Sequence, residues 1–235
     1  MNDVSQIIIT IGSVQIPIHQ SIMVWLVICL FLCIMAVICG KKIEKADPSK
    51  PPKGLVYLSE EIYNLCLYVV QGNLREKTKK YIPIFGTLML GMLLSNLSGL
   101  TGFQNPTSNV SFNATLAIMF FLMIQFNGLK KGGLKARFKE LCEPFPFLLP
   151  LNIIGELALP ISLTMRLFGN ILAGTIITLL VYTLITNIAP WGYLGLTLTP
   201  FIHAYFDIFS GVIQTYIFFT LGTYFLGQQV SEEAE

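Results

Sequence analysis

The sequence predicts an all-α polytopic membrane protein with about five transmembrane crossings. Three observations carry that expectation. Of its 235 residues 54% are hydrophobic and only 12% charged, with a mean hydropathy of +0.68, outside the range of water-soluble globular domains. Fourteen of the fifteen Lys and Arg fall in three clusters, Lys41 to Lys53, Arg75 to Lys80 and Lys130 to Lys139, and apolar runs long enough to cross a bilayer lie between and beyond them. By the positive-inside rule the clusters mark cytoplasmic loops, which puts the N-terminus outside and the C-terminus inside.

Residues 1–20 form an external N-terminal segment, and MNDVSQ carries an aspartate and no basic cluster, so a cleaved signal peptide is not expected. Residues 21–40 make the first span. Three of the five cysteines sit there (Cys29, Cys33, Cys39), and with Cys66 and Cys142 they form no CxxC pair, so they read as apolar filler. Residues 41–80 return to the cytoplasm. KKIEKADPSKPPKG is a charged, proline-rich linker, and LVYLSEEIYNLCLYVVQGNL mixes Ser59, Glu60, Glu61 and Asn64 with apolar residues, as in an amphipathic helix on the membrane surface. Residues 81–129 carry no charge and break only at TGFQNPTSN, which predicts a helical hairpin; its Asn109-Val-Ser and Asn113-Ala-Thr sequons are accidental in a bacterial chain. Residues 130–146 are a basic amphipathic cytoplasmic loop ended by Pro144 and Pro146.

The last two crossings are overlong. Residues 147–187 would be ~60 Å long as one helix and residues 197–227 ~46 Å, against a hydrocarbon thickness of ~30 Å. Such helices must tilt steeply, kink or break, and Pro160 offers a kink. A pair of strongly tilted helices packed against a large protein surface is the expectation, joined outside through IAPWGYLGL and followed by a cytoplasmic tail, residues 228–235.

The only charges between 147 and 187 are Glu156 and Arg166. A charge near the bilayer centre costs ~2.5–3.5 kcal/mol on insertion scales, so an isolated arginine there marks a function. On a helical period Arg166 shares a face with Ser162, Gly169, Asn170 and Ala173, a polar and small-residue face that admits close approach of another backbone. Glu156 lies ten residues away, ~15 Å along a helix and too far for a direct pair. In the final helix His203, Asp207 and Gln214 fall at i, i+4 and i+11, with Ser210 and Gly211 between them. His203 and Asp207 would occupy the outer half, Glu156 the cytoplasmic side and Thr175 the outer side, two polar sets with Arg166 between them: the layout of an ion pathway.

PISLTMRLFGNILAG, preceded by NIIGELAL and followed by FDIFSGVIQTYIFFTLGTYF, resembles the a subunit of F-type ATP synthases, the membrane stator beside the rotating c-ring. The resemblance covers nearly the whole chain, the first 55 residues in topology only. It implies that Arg166 faces the essential carboxylate of each passing c subunit, between two offset aqueous half-channels. It also implies that Asn170 and Gln214 accompany the arginine and that Glu156 belongs to the cytoplasmic route. On the outer route the family often pairs Glu or His across the positions of Thr175 and Asp207; here they are a hydroxyl and an aspartate, leaving Asp207 with His203 as the titrating pair. The partners it implies are the c-ring, the b subunit of the stator stalk, the rest of the F0F1 ATP synthase, the lipid bilayer and translocated H⁺ or Na⁺, in a bacterial plasma membrane.

The chief rival is a self-contained secondary transporter, but the internal repeats usual in such carriers are not found. A membrane hydrolase is weaker, since no HExxH, GxSxG or P-loop pattern occurs. No catalytic residue, cofactor, metal or nucleic acid is expected for this chain.

Overall fold

The computed structural model describes residues 6–11, 14–47, 51–74, 78–101, 105–187, 201 and 205–230. Its described elements are a β-hairpin, β1 (Gln6–Ile11) and β2 (Val14–His19), followed by helices α1 (Gln20–Glu44), α2 (Leu55–Leu74), α3 (Thr78–Leu97), α4 (Val110–Cys142), α5 (Leu149–Asn187) and α6 (Gly211–Val230). Five helical stretches are long and apolar enough to cross a membrane, as the sequence predicts: Gln20–Glu44, Lys80–Leu100, Val110–Lys130, Pro146–Leu184 and Ile208–Val230. The all-α polytopic class therefore holds for everything that spans.

The hairpin is a departure, since the external segment was given no structure. Its antiparallel register sets Ile7 opposite Ile18, Ile9 opposite Ile16 and Ile11 opposite Val14. Ile7 to Ile11 are all β-branched and Val14, Ile16 and Ile18 alternate along β2, a composition that favours strand.

Helix α2 coincides with the amphipathic segment. Ser59 is half-buried and Glu60 and Glu61 are exposed, while Cys66, Val69, Val70 and Leu74 are buried against α3 and α6. Burial pushes the Cys66 thiol above its ordinary range, which keeps it inert. Asn109 and Asn113 are used internally: Asn109 caps α4 by accepting from the Ser111 amide (2.9 Å), and Asn113 donates to the Thr107 carbonyl (2.6 Å).

Three boundaries move. α1 continues to Glu44, four residues beyond the expected span, with Lys41 and Lys42 in its last turn, where cations suit the helix dipole. The expected loop 130–146 is mostly helix, because α4 bends at Gly133 instead of ending. Gly133 has φ +71°, a conformation other residues rarely adopt, and a short helical arm resumes after it as far as Cys142. The expected tail is shortened: α6 runs through Gln228 and Gln229 to Val230, because Leu226 and Val230 fall one turn apart on its buried face.

The core lies where α6 crosses α2, α3 and α4. Phe120 is fully buried and meets Phe85, Phe218 and Phe219 at centroid distances of 5.2, 5.3 and 5.5 Å. Glycines let the backbones close. A Cβ on Gly222 would strike the Phe120 ring, one on Gly227 the Asn73 carbonyl, and one on Gly211 would come within 2.9 Å of the Asn96 Cβ.

Helix α5 is unbroken over 39 residues even with Pro160 inside it. At ~58 Å it exceeds the hydrocarbon thickness nearly twofold, so tilt, not breakage, must absorb the excess.

Candidate functional site

Arg166 stands two residues from the midpoint of α5. The helix buries Leu163, Thr164 and Leu167. Ser162, Arg166, Gly169 and Ala173 are all exposed on another face, as the helical spacing requires. No described residue gives Arg166 a hydrogen bond or an ion pair. Its guanidinium is thus offered outward, on a face that also carries the small residues Ser162, Gly169 and Ala173.

Asn170 borders that strip and is half-buried; its Oδ1 accepts from the Ser210 hydroxyl at 2.6 Å. This bond ties α5 to the start of the last helix. Immediately beside it, Asn96 of α3 donates to the Gly211 carbonyl (3.1 Å) and to the Thr215 hydroxyl (3.0 Å). Asn96 is 6% exposed, and the bare Gly211 lets it approach. Lower down, Asn73 of α2 does the same for the Thr220 carbonyl (3.2 Å) and the Thr223 hydroxyl (2.9 Å). Two asparagines, Asn96 buried and Asn73 half-buried, therefore fix the depth and rotation of α6. Inside a membrane such bonds define position, because the alternative is an unsatisfied amide.

The last helix is not one regular α-helix. Tyr205–Ser210 form a π-helical turn, and the α-helix resumes at Gly211. The wider i→i+5 turn advances less angle per residue, so the i, i+4, i+11 stripe drawn on a 3.6 period does not hold across it. Asp207 lies within that turn; its side chain, and the whole of His203, fall outside the described residues, as does the outer connection. Gln214 is 7% exposed on α6, and its Nε2 has no partner among the described residues. It is not bonded to Arg166. Thr175 is exposed, and its hydroxyl donates to the Ile171 carbonyl of its own helix at 2.9 Å.

Glu156 has a partner, and it is not Arg166. Arg137, on the arm after Gly133, reaches Glu156 Oε1 at 2.5 Å, and Gln125 Nε2 donates to the other carboxylate oxygen at 2.9 Å. Arg137 also holds Glu140 at 2.7 Å, and Glu140 accepts from Gln229 Nε2 at 3.1 Å. These residues line a cavity of about 330 Å³ between α4, α5 and α6. No described cluster of His, Cys, Asp or Glu has the makings of a metal site. Arg137, Gln125, Asn96 and Asn73 were not singled out from the sequence; Gly132-Gly133 just before LKARFKEL was the signal for an arm that folds back.

A multi-pass helical membrane protein emerges, with Arg166 exposed near the middle of α5 and Asn170 bonded to the start of the last helix. The chain belongs to the ATP synthase A chain family, whose profile matches residues 21–227. It is 33% identical over 185 residues to ATP synthase subunit a 2 of Bradyrhizobium sp. (strain BTAi1), covering 78% of each chain. It is 29% identical over 224 residues to ATP synthase subunit a of Oceanobacillus iheyensis, covering 91% of each, and 29% identical over 226 residues to that of Staphylococcus carnosus, covering 91% of this chain and 90% of the relative.

Proposed function

We propose that this chain is the non-catalytic stator subunit through which the F0 sector of a bacterial F-type ATP synthase passes H⁺ or Na⁺ to and from a rotating c-ring. The observation that carries this reading is Arg166: central in a long helix, exposed on a small-residue face, and without a partner among the described residues. A charge left so against lipid is costly. A passing carboxylate on a neighbouring ring of helices relieves that cost at each step.

The chemistry follows from electrostatics. The guanidinium stays protonated and favours the ionised form of a carboxylate opposite it, so each c-subunit carboxylate gives up its ion before passing. The same fixed charge repels cations that would otherwise run directly from one half-channel to the other. Each unit charge moved through 100 mV contributes ~2.3 kcal/mol, so several ions must be coupled to each ATP. The Glu156 cavity supports a cytoplasmic half-channel, and Asp207 with His203 and Thr175 an outer one. Ser162 and Asn170 flank the arginine, and Gln214 offers a buried amide from α6. The c-ring, the b subunit stalk and the rest of F0F1 are the partners, in the plasma membrane with the N-terminus outside and the C-terminus cytoplasmic.

Cysteine cross-linking tests the interface. In a chain whose native cysteines are replaced by alanine, Ala173→Cys is expected to form a disulfide with a cysteine placed near the c-subunit carboxylate. Ile161→Cys, exposed but about 140° around the helix from Arg166, is expected to give little. Equal yields from both would remove the face assignment. On the outer route, Asp207→Asn is expected to slow ion entry from outside about a hundredfold, the low end of what a proton-transfer group contributes, roughly 10²-fold to 10⁴-fold. An unchanged rate across a pH series would take Asp207 out of the path.

A further inference from the structure

We infer that Arg137 is a positioning residue of the ion path: it holds Glu156 in place and offsets its charge, so that cations cross the cytoplasmic cavity without being trapped there. This rests on the stator reading above. Arg137 comes from a segment that sequence alone leaves as solvated loop, yet its side chain is 6% exposed. The left-handed Gly133 turn makes that possible by folding the arm back over the membrane end of α4. Gly128 completes the seat, since a Cβ there would stand 2.9 Å from Gln229 Oε1 and 3.1 Å from Arg137 Nε. The guanidinium then closes a ring: Nη2 binds Glu156 Oε1 and Gln125 Oε1 (3.3 Å), and Gln125 Nε2 binds Glu156 Oε2. Both carboxylate oxygens are engaged, so their orientation toward the cavity is fixed.

The charge balance gives the arrangement a role beyond tying helices together. The charged groups on the cavity walls are Arg137 from the arm, Glu140 beside it and Glu156 from α5, a net charge of −1. The α6 wall contributes the uncharged Gln228 and Gln229. One net negative charge draws a cation in; two, without the arginine, hold it. A site on a conduction path must bind weakly enough to release.

The test is ATP-driven ion pumping by the whole F0F1 complex in inverted vesicles, measured against ion concentration on the cytoplasmic side and normalised to assembled subunit. Arg137→Gln, which leaves the walls at −2, is expected to lower the half-saturating concentration and the maximal rate together, each by about fivefold. Arg137→Gln/Glu140→Gln returns the walls to −1 with Glu156 kept, and is expected to recover most of both. A purely structural tie would change only the amount of assembled complex. If the single variant does not assemble, the double variant decides alone: half-saturation within twofold of wild type supports the inference. Wild-type kinetics in the single variant, or a double variant no better than the single or slowed against wild type at equal assembly, overturns it. Arg166→Ala run in parallel separates the two levels, because normal synthesis there would sink the stator reading itself.

Discussion

Arg166→Ala is expected to abolish gradient-driven ATP synthesis while leaving the complex assembled. The second half of that outcome comes from the structure. Removing one member of a buried ion pair usually costs ~3–5 kcal/mol because a charge is stranded. Arg166 has no such partner among the described residues, so its loss strands no charge among them, and insertion of α5 should become easier by roughly 2.5–3.5 kcal/mol. Activity should fall to background. Without the cation, a c-subunit carboxylate facing α5 has nothing to favour its ionised form, and nothing blocks a leak between the half-channels. Arg166→Lys should fail nearly as fully, since an ammonium lacks the planar fork and loses its proton in a dry site. Synthesis in respiring inverted vesicles, together with subunit a recovered in purified complex, reads both halves. Normal synthesis by the alanine variant would end the mechanism; loss of assembly would show that the arginine is held by its own chain after all.

The parts of this molecule that could be read in advance are those set by hydropathy and by a single helical period. The five spans, the amphipathic α2 and the face shared by Ser162, Arg166, Gly169 and Ala173 all follow from rules that act within one helix. What could not be read depends on contacts between helices or on a change of period. Asn96 and Asn73 look like scattered polar residues until Gly211 and the carbonyls of α6 come beside them. Arg137 looks like one more member of a solvated basic cluster until Gly133 folds its arm back. The π turn breaks a stripe drawn at 100° per residue between Asp207 and Gln214. Glu156 was rightly separated from Arg166 by helix length, yet its true partner sits 19 positions earlier, across a break no periodicity reports.

Gly227→Val is expected to cost the protein its fold more surely than any change to the site. The position itself does not line the cavity, although Gln228 next to it does; what an added Cβ there would touch is backbone. A Cβ at 227 would overlap the Asn73 carbonyl in the last turn of α2, and backbone cannot yield as the end of a long side chain can. To relieve the overlap α2 must withdraw. That breaks the bond from Asn73 to Thr223 and opens the packing of Val70 and Leu74 against α6. Overpacking alone costs ~1–3 kcal/mol, and a lost amide bond within the membrane adds ~0.6 kcal/mol. At tenfold per 1.4 kcal/mol, the folded-to-unfolded ratio should fall by roughly one to two and a half orders of magnitude. Gly72→Val is the control, because a Cβ there meets nothing within 4 Å and only helix propensity changes. The measurement is the quantity of subunit a retained in membranes and the melting temperature of the purified complex. If Gly227→Val melted with wild type, the close crossing of α2 and α6 would be wrong. The alignment that Asn73 and Asn96 impose on the last helix, and with it the placing of Gln214 and Ser210 beside α5, would then need to be redrawn.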